Sequence, residues 1–230
     1  SIAFTYKGDI YTVPVNGGKA AQITTNAAYD THPVWSPDGK QIAFASDRMG
    51  SMDIFVVDRE GGIPKRLTTH SGNETPVAFK DADHILFLAN VMPSAEDAQF
   101  PSGQFQQVYE VSTTGDRPVM FSSMPMEDIS INKTGNALLY HDKKGYEDPW
   151  RKHHTSSITR DIWLCSLDGK RSYRKLTSFN GEDRTPVWAS DGKSFYYLSE
   201  EKGSFNVFKR ALDGTSSTQL THHTKHPVRF

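Results

Sequence analysis

The sequence contains a single cysteine, Cys165, which excludes an internal disulfide and a cysteine-rich metal centre. It lacks any run of 18 apolar residues, so no segment reads as a bilayer-spanning helix. It also lacks a surplus of either charge. With 26 Lys and Arg against 27 Asp and Glu, a net charge of -1 gives no bulk electrostatic hold on nucleic acid. Neither a G-x-S-x-G elbow nor an H-E-x-x-H pair occurs, so the local signatures of an activated serine and of a zinc peptidase are missing. Ser1-Ile2-Ala3-Phe4 already reads as a strand, with neither a charged nor an apolar leader region, and any targeting sequence is expected upstream.

What the chain does contain is a repeat. Asp30 to Thr68 reads as four short strands. Val34 and Trp35 lead into the turn Ser36-Pro37-Asp38-Gly39, where Pro presets φ and Gly permits a positive one. Ile42 and Phe44 follow with the period-2 spacing of a strand. A second hairpin runs from Asp53-Ile54-Phe55-Val56-Val57 through Gly61-Gly62 to Lys65-Arg66-Leu67-Thr68. About forty residues in four strands is the size of a propeller blade.

Three registers return at one period. Third strands place Tyr11, Phe55, Tyr109, Trp163 and Phe208 after a β-branched residue, at intervals of 44, 54, 54 and 45 residues. Second strands carry Ile2/Phe4, Ile42/Phe44, Ile85/Phe87, Leu138/Tyr140 and Phe195/Tyr197. Fourth strands end on Ile23, Leu67, Leu176 and Leu220, with Met120 expected in the third copy. The fold class is therefore an all-β propeller of four-stranded antiparallel blades. The blades are expected at about 1–24, 30–68, 74–121, 127–177 and 184–221, with the start of a further one at 226–230. A composition of 36% hydrophobic and 11% aromatic residues can fill the space between stacked sheets, each large ring burying roughly 150–250 Å².

The third and fourth copies owe their longer period to insertions between the second and third strands, at about 90–106 and 142–160. Pro93, Pro101, Gly103, Gly145 and Pro149 argue against long helices there. Long loops on a rigid scaffold are where binding sites concentrate.

In their order, the SPDG turn, ASDR, DIF and RLT resemble the TolB-type propeller repeats. The runs KHHTSS-TRDIW, FNGEDRTPVWASDGKSFYYLSE and THHTKHPVRF are similar, more narrowly, to the N-terminal propeller of bacterial tricorn-like serine peptidases. That resemblance covers the whole chain. It implies a domain followed by a second propeller, a PDZ domain and a split catalytic domain that carries the catalytic Ser and His. The implied role is gating or binding of peptide substrate or product, without catalytic residues here and without a cofactor. The implied partners are the remaining peptidase domains, the peptide itself and a second copy of the chain. One cysteine decides nothing about compartment; the bacterial periplasm or secretion is the expectation and the cytoplasm its alternative. The resemblance also implies six blades, of which this chain supplies part. The alternative is a five-bladed ring closed by pairing of residues 226–230 with residues 1–6.

Candidate sites are few. Tyr146 to His154 joins aromatic and basic groups, and Trp150, Arg151, Lys152, His153 and His154 form the candidate binding loop, suited to a carboxylate or a peptide terminus. His153 and His154 with His222, His223 and His226 are the weak candidates for a metal, although no carboxylate stands at fixed spacing from them. Ser36, Asp38, Ser190 and Asp191 read as turn-formers. Asp53 and Asp161 read as structural, able to orient a neighbouring loop or Arg48, and Cys165 as a buried, inert thiol. Two other functions remain open at this point, a TolB-like envelope interaction module and a propeller lyase with a histidine-bound metal.

Overall fold

The computed structural model describes residues 1–90, 106–144 and 158–228. Among them all regular structure is β, and every strand pairing is antiparallel. The chain divides into two compact units, Ser1–Met124 and Pro125–Phe230. The first holds a three-stranded blade, β1 (Ile2–Tyr6), β2 (Asp9–Val13) and β3 (Ala21–Gln22). Two four-stranded blades follow in it: β4 (Asp30–Trp35), β5 (Gln41–Ser46), β6 (Asp53–Asp58), β7 (Lys65–Arg66), then β8 (Glu74–Phe79), β9 (His84–Ala89), β10 (Gln107–Ser112), β11 (Val119–Ser122). The second unit holds β12 (Met126–Ile131), β13 (Ala137–Asp142), β14 (Ile162–Ser166), β15 (Ser172–Lys175) and then β16 (Asp183–Trp188), β17 (Ser194–Ser199), β18 (Asn206–Ala211), β19 (Ser217–Gln219). Each sheet runs up and down in chain order, the blade topology of a β-propeller.

Strand register follows the aromatic repeat. Tyr11 pairs with Phe4, Phe55 with Phe44, Tyr109 with Phe87, Trp163 with Tyr140 and Phe208 with Tyr197. All five third-strand aromatics thus hold equivalent positions. Phe44–Phe55 and Phe87–Tyr109 stack at 6.0 and 5.6 Å. Three of the pairs face the aliphatic side of the blade before them. Phe44 and Phe55 pack with Ile10 and Ile23, Phe87 and Tyr109 with Ile54 and Leu67, and Tyr197 and Phe208 with Ile162 and Leu176. A sheet covered on both faces explains why β5 is buried along nearly its whole length, Ala43 packing on one side and Ile42 and Phe44 on the other.

One register differs from the sequence expectation. Met120 pairs with Tyr109, the place held by Gln22, Arg66, Lys175 and Gln219 in the other blades. Phe121, buried, takes the place of Ile23, Leu67 and Leu176. A register shift between Val108 and Tyr109 accompanies this blade's departure from the Leu-Thr ending.

The Thr after that apolar residue has a defined task. Its Oγ1 accepts the amide of the β-branched residue before the third-strand aromatic: Ile10 to Thr24, Ile54 to Thr68, Ile162 to Thr177 and Val207 to Thr221, at 2.9, 2.9, 3.1 and 2.9 Å. Thr68 Oγ1 in turn donates to Glu74 at the start of the next blade. The residue two places before that Thr, opposite the aromatic, reaches back to the acid at the start of the third strand. Gln22 donates to Asp9, and Arg66 and Lys175 pair with Asp53 and Asp161. Asp53 is therefore tied to Arg66 rather than to Arg48. Arg48 Nη2 instead bonds both oxygens of the buried Asp30, at 2.8 and 2.9 Å, with its guanidinium 4.6 Å from the Phe55 ring centre.

The turn chemistry is explicit in the second blade. Ser36 Oγ donates to Asp38 and accepts the Gln41 amide, and Gly39 adopts φ 68°. In the fifth blade Asp191 accepts from the Lys193 and Ser194 amides, while Ser190 is exposed and outside that network. At the C-terminal end, residues 226–228 form no strand, and the Val228 amide donates to the Phe205 carbonyl at 3.0 Å. The further first strand expected at 226–230, and its alternative pairing with residues 1–6, extend onto residues 229–230, outside the described residues.

Candidate functional site

Besides Lys7 in the turn after β1, the described non-glycine residues at positive φ lie on first strands. β4, β12 and β16 each have a register shift in mid-strand, and each places a non-glycine residue at positive φ: His32 at 53°, Asp128 at 50° and Thr185 at 53°. A left-handed conformation costs such residues about 1 kcal/mol or more, and bulges of this kind re-aim a side chain. The three side chains are polar, and those of His32 and Asp128 are exposed. Two of them meet in the second unit, where β12 and β16 lie side by side and Thr185 Oγ1 donates to Asp128 at 2.7 Å.

Beneath that pair lies an ordered polar cluster. His141, buried on β13, accepts the Thr185 amide on Nδ1 at 3.1 Å, which leaves the ring proton on Nε2. Nε2 faces Glu127 Oε2 at 3.2 Å, and Lys143 donates to Glu127 Oε1 at 2.8 Å. The His141 hydrogen bond, followed by Lys143, holds the Glu127 carboxyl down at about 2 despite its partial burial. Arg160 reaches from Glu127, at 3.5 Å, to the buried Glu182, at 2.9 Å. Arg184 lies 3.6 Å from Glu182 and 4.1 Å from the centre of the Phe205 ring. On its other side Thr185 lines an apolar groove with Val187, Tyr196, Leu198 and Val207.

This arrangement is suited to holding rather than to turning over a ligand. The His141 ring is occupied at both nitrogens, so it has no lone pair free for a metal and no site free to take a substrate proton. The Asp128 carboxylate is half exposed on a strained strand, beside a hydroxyl and an apolar groove. Such a group can accept hydrogen bonds from backbone amides or a terminal ammonium.

The sequence-predicted positions fare differently. Trp150, Arg151, Lys152, His153 and His154 lie outside the described residues. His222, His223 and His226 are exposed in the segment after β19. Asn206 pins that segment, accepting the His223 amide at 2.7 Å and donating to its carbonyl at 3.0 Å. Among the described residues no three His, Cys, Asp or Glu converge as a metal site. Cys165 is buried, and burial pushes its thiol up from the ordinary value. Glu127, Asp128, His141, Arg160 and Thr185 were not singled out from the sequence. Of these only Thr185 stands before Pro as His32 does, and Thr75-Pro76-Val77 shares that pattern without a positive φ, so it did not mark the site.

The family model described as the tricorn protease N-terminal beta propeller domain matches residues 1–230. Tricorn protease homolog 1 of Streptomyces coelicolor is 25% identical over 223 residues, covering 97% of this chain and 20% of that protein. The crystal structure of the tricorn protease superposes with a TM-score of 0.72 at 20% identity, over 98% of this chain and 22% of that one. TolB from Acinetobacter baumannii superposes with a TM-score of 0.70 at 16% identity, over 93% and 48%. The structural likenesses show the fold, and the chain spans about a fifth of the length of the Streptomyces relative.

Proposed function

The chain belongs to the tricorn protease N-terminal β-propeller family, and we propose that it is a non-catalytic domain that binds or gates peptides for a tricorn-like serine protease. The observation that carries this reading is the Asp128–Thr185 pair. Two neighbouring first strands accept backbone strain to present a carboxylate and a hydroxyl beside an apolar groove. A strained polar residue is retained when its orientation matters, and the cluster below it leaves no activated nucleophile or free base. The partners in this reading are a peptide substrate or product and the further domains of the protease, at work in the periplasm or outside the cell.

The test is peptide binding by the 230-residue chain, followed by fluorescence anisotropy with labelled peptides that carry a free or an acetylated N-terminus. Asp128→Asn should weaken binding of the free-amine series several-fold and leave the acetylated series nearly unchanged. Equal affinity of the variant and the parent for both series would remove the site from the reading. A TolB-like interaction module would instead bind a folded protein and ignore short peptides.

A further inference from the structure

Beyond the peptide-gating reading, and independently of it, we infer that Asp183 is a proton-operated latch between the fourth and fifth blades, shut while its carboxyl is neutral and loosened when the carboxyl ionises. The basis is a repeat position that has lost its cation. Asp183 opens β16 as Asp30 opens β4, pairing with Ser199 where Asp30 pairs with Ser46. Two residues beyond Ser46 stands Arg48, which lies over the Phe44 and Phe55 rings and bonds both oxygens of Asp30. Two residues beyond Ser199 stands Glu201. The chain turns alike at both places, since the Arg48 and Glu201 amides donate to the hydroxyls of Ser46 and Ser199 at 3.4 and 3.2 Å. Tyr197 and Phe208 pair in the register of Phe44 and Phe55. The fifth blade thus keeps the acid, the serine and the ring pair, and has a second acid in the sequence place of the arginine.

The consequence is a buried carboxyl without a counter-charge. Asp183 is 1% exposed, and its Oδ1 has no hydrogen-bond partner. Burial, helped by the Asp161 and Glu201 carboxylates and opposed by hydrogen bonds from Ser199 and Thr177, raises its pKa from 3.8 to about 6. The cations on the elements around it are engaged elsewhere. Lys144 and Lys175 pair with Asp161, and Lys202 with Glu201. Lys143 pairs with Glu127 on β12, and Arg160 runs from Glu127 to Glu182. Arg184, next in the chain, turns to Glu182 and the Phe205 ring. On β12 and β13, Asp128, His141 and Asp142 engage Thr185, Glu127 and the Asp161 amide.

The latch joins the blades through Thr177, which follows β15 and whose Oγ1 also accepts the Ile162 amide at 3.1 Å. The Asp183 amide donates to the Arg160 carbonyl at 3.0 Å. When neutral, the Asp183 carboxyl rests in this junction without burying a charge. When ionised, it faces Asp161 and Glu201 with no cation to offset them, and release towards water is favoured. Thr185 stands two residues further along β16, so the latch fastens the end of the strand that carries the Asp128–Thr185 pair.

The test is hydrogen exchange of the Ile162 and Asp183 amides in the 230-residue chain, with protection factors taken at pH 4 and pH 7. A carboxyl held at about 6 in the closed junction and at 3.8 once released makes opening easier as the pH rises, by about fiftyfold over this interval. Asp183→Asn cannot ionise, and its protection should lack that fall. Glu201→Arg gives the fifth blade the cation of the second and should lack it too, with the Asp183 carboxyl carbon no longer titrating near 6. The inference fails if the parent and Asp183→Asn lose protection equally, because another group is then responsible. It also fails if a folded Glu201→Arg titrates as the parent does. Should Glu201→Arg not fold, the comparison of the parent with Asp183→Asn decides alone.

Discussion

Glu74 offers the sharpest handle on how one blade is fastened to the next. It opens β8, is 1% exposed, and accepts the hydroxyl of Thr68 from the blade before. Burial, helped by the neighbouring Asp53 carboxylate and opposed by Thr68 and Arg66, raises its pKa from 4.5 to about 7. The folded protein therefore binds this proton more tightly than the unfolded chain. The sign follows directly. Below pH 4.5 the group is protonated in both states and costs nothing, and stability is lost as the pH rises through about 7. At 1.36 kcal/mol per pKa unit, the loss is about 3 kcal/mol by pH 8. Glu74→Gln keeps an oxygen to accept from Thr68 and cannot ionise. Its stability relative to the parent should rise by about 3 kcal/mol between pH 4.5 and 8, measured by denaturant unfolding at fixed ionic strength. Exchange of the Ile54 amide, which donates to Thr68, provides a local readout in the native state. Parallel pH profiles for parent and variant would refute the reasoning, since they would mean that Glu74 titrates alike in both states.

Three further outcomes follow from the same geometry. Glu127→Gln acts with the opposite sign. A carboxyl held at about 2 contributes stability that is present above its ordinary value of 4.5 and is lost as the pH falls through about 2, so the variant should be less stable at pH 6, by about 1–2 kcal/mol after allowance for its partial exposure, with the difference vanishing in acid. Phe55→Ala, at a position 2% exposed and stacked on Phe44, should cost about 3–5 kcal/mol in equilibrium unfolding, and a cost below 1 kcal/mol would contradict the blade packing. The purified chain should not cleave fluorogenic peptides, and turnover that co-purifies with it and survives Asp128→Asn would reassign it as an enzyme.

Much of the architecture was readable from residue order because a propeller is built from local hairpins. Pairing of Phe44 with Phe55 is dictated by a short connection and a period of 2, both visible in sequence. The turn at Ser36–Gly39 was equally legible, since its hydrogen bonds close within five residues. The third blade's fourth strand was misplaced by one residue for a related reason. Met120 fits the apolar pattern as well as Phe121 does, and only the pairing with Tyr109 separates them. The partner of Arg48 was not legible, because Asp30 and Asp53 are both near in sequence and only the fold buries Asp30 against its guanidinium.

The sequence by itself determined the strands, their order and the aromatic layer, because these depend on residues a few positions apart. Tertiary structure alone decided the polar chemistry. Asp128 and Thr185 stand 57 residues apart in the chain, and His141 lies 44 residues from the amide it accepts. Whether a carboxyl rests near 2, as Glu127 does, or near 7, as Glu74 does, depends on which groups folding brings beside it, His141 and Lys143 of its own blade for Glu127 and Thr68 and Asp53 of the preceding blade for Glu74. Those distances and degrees of burial exist only once the sheets are stacked, and no local pattern encodes them.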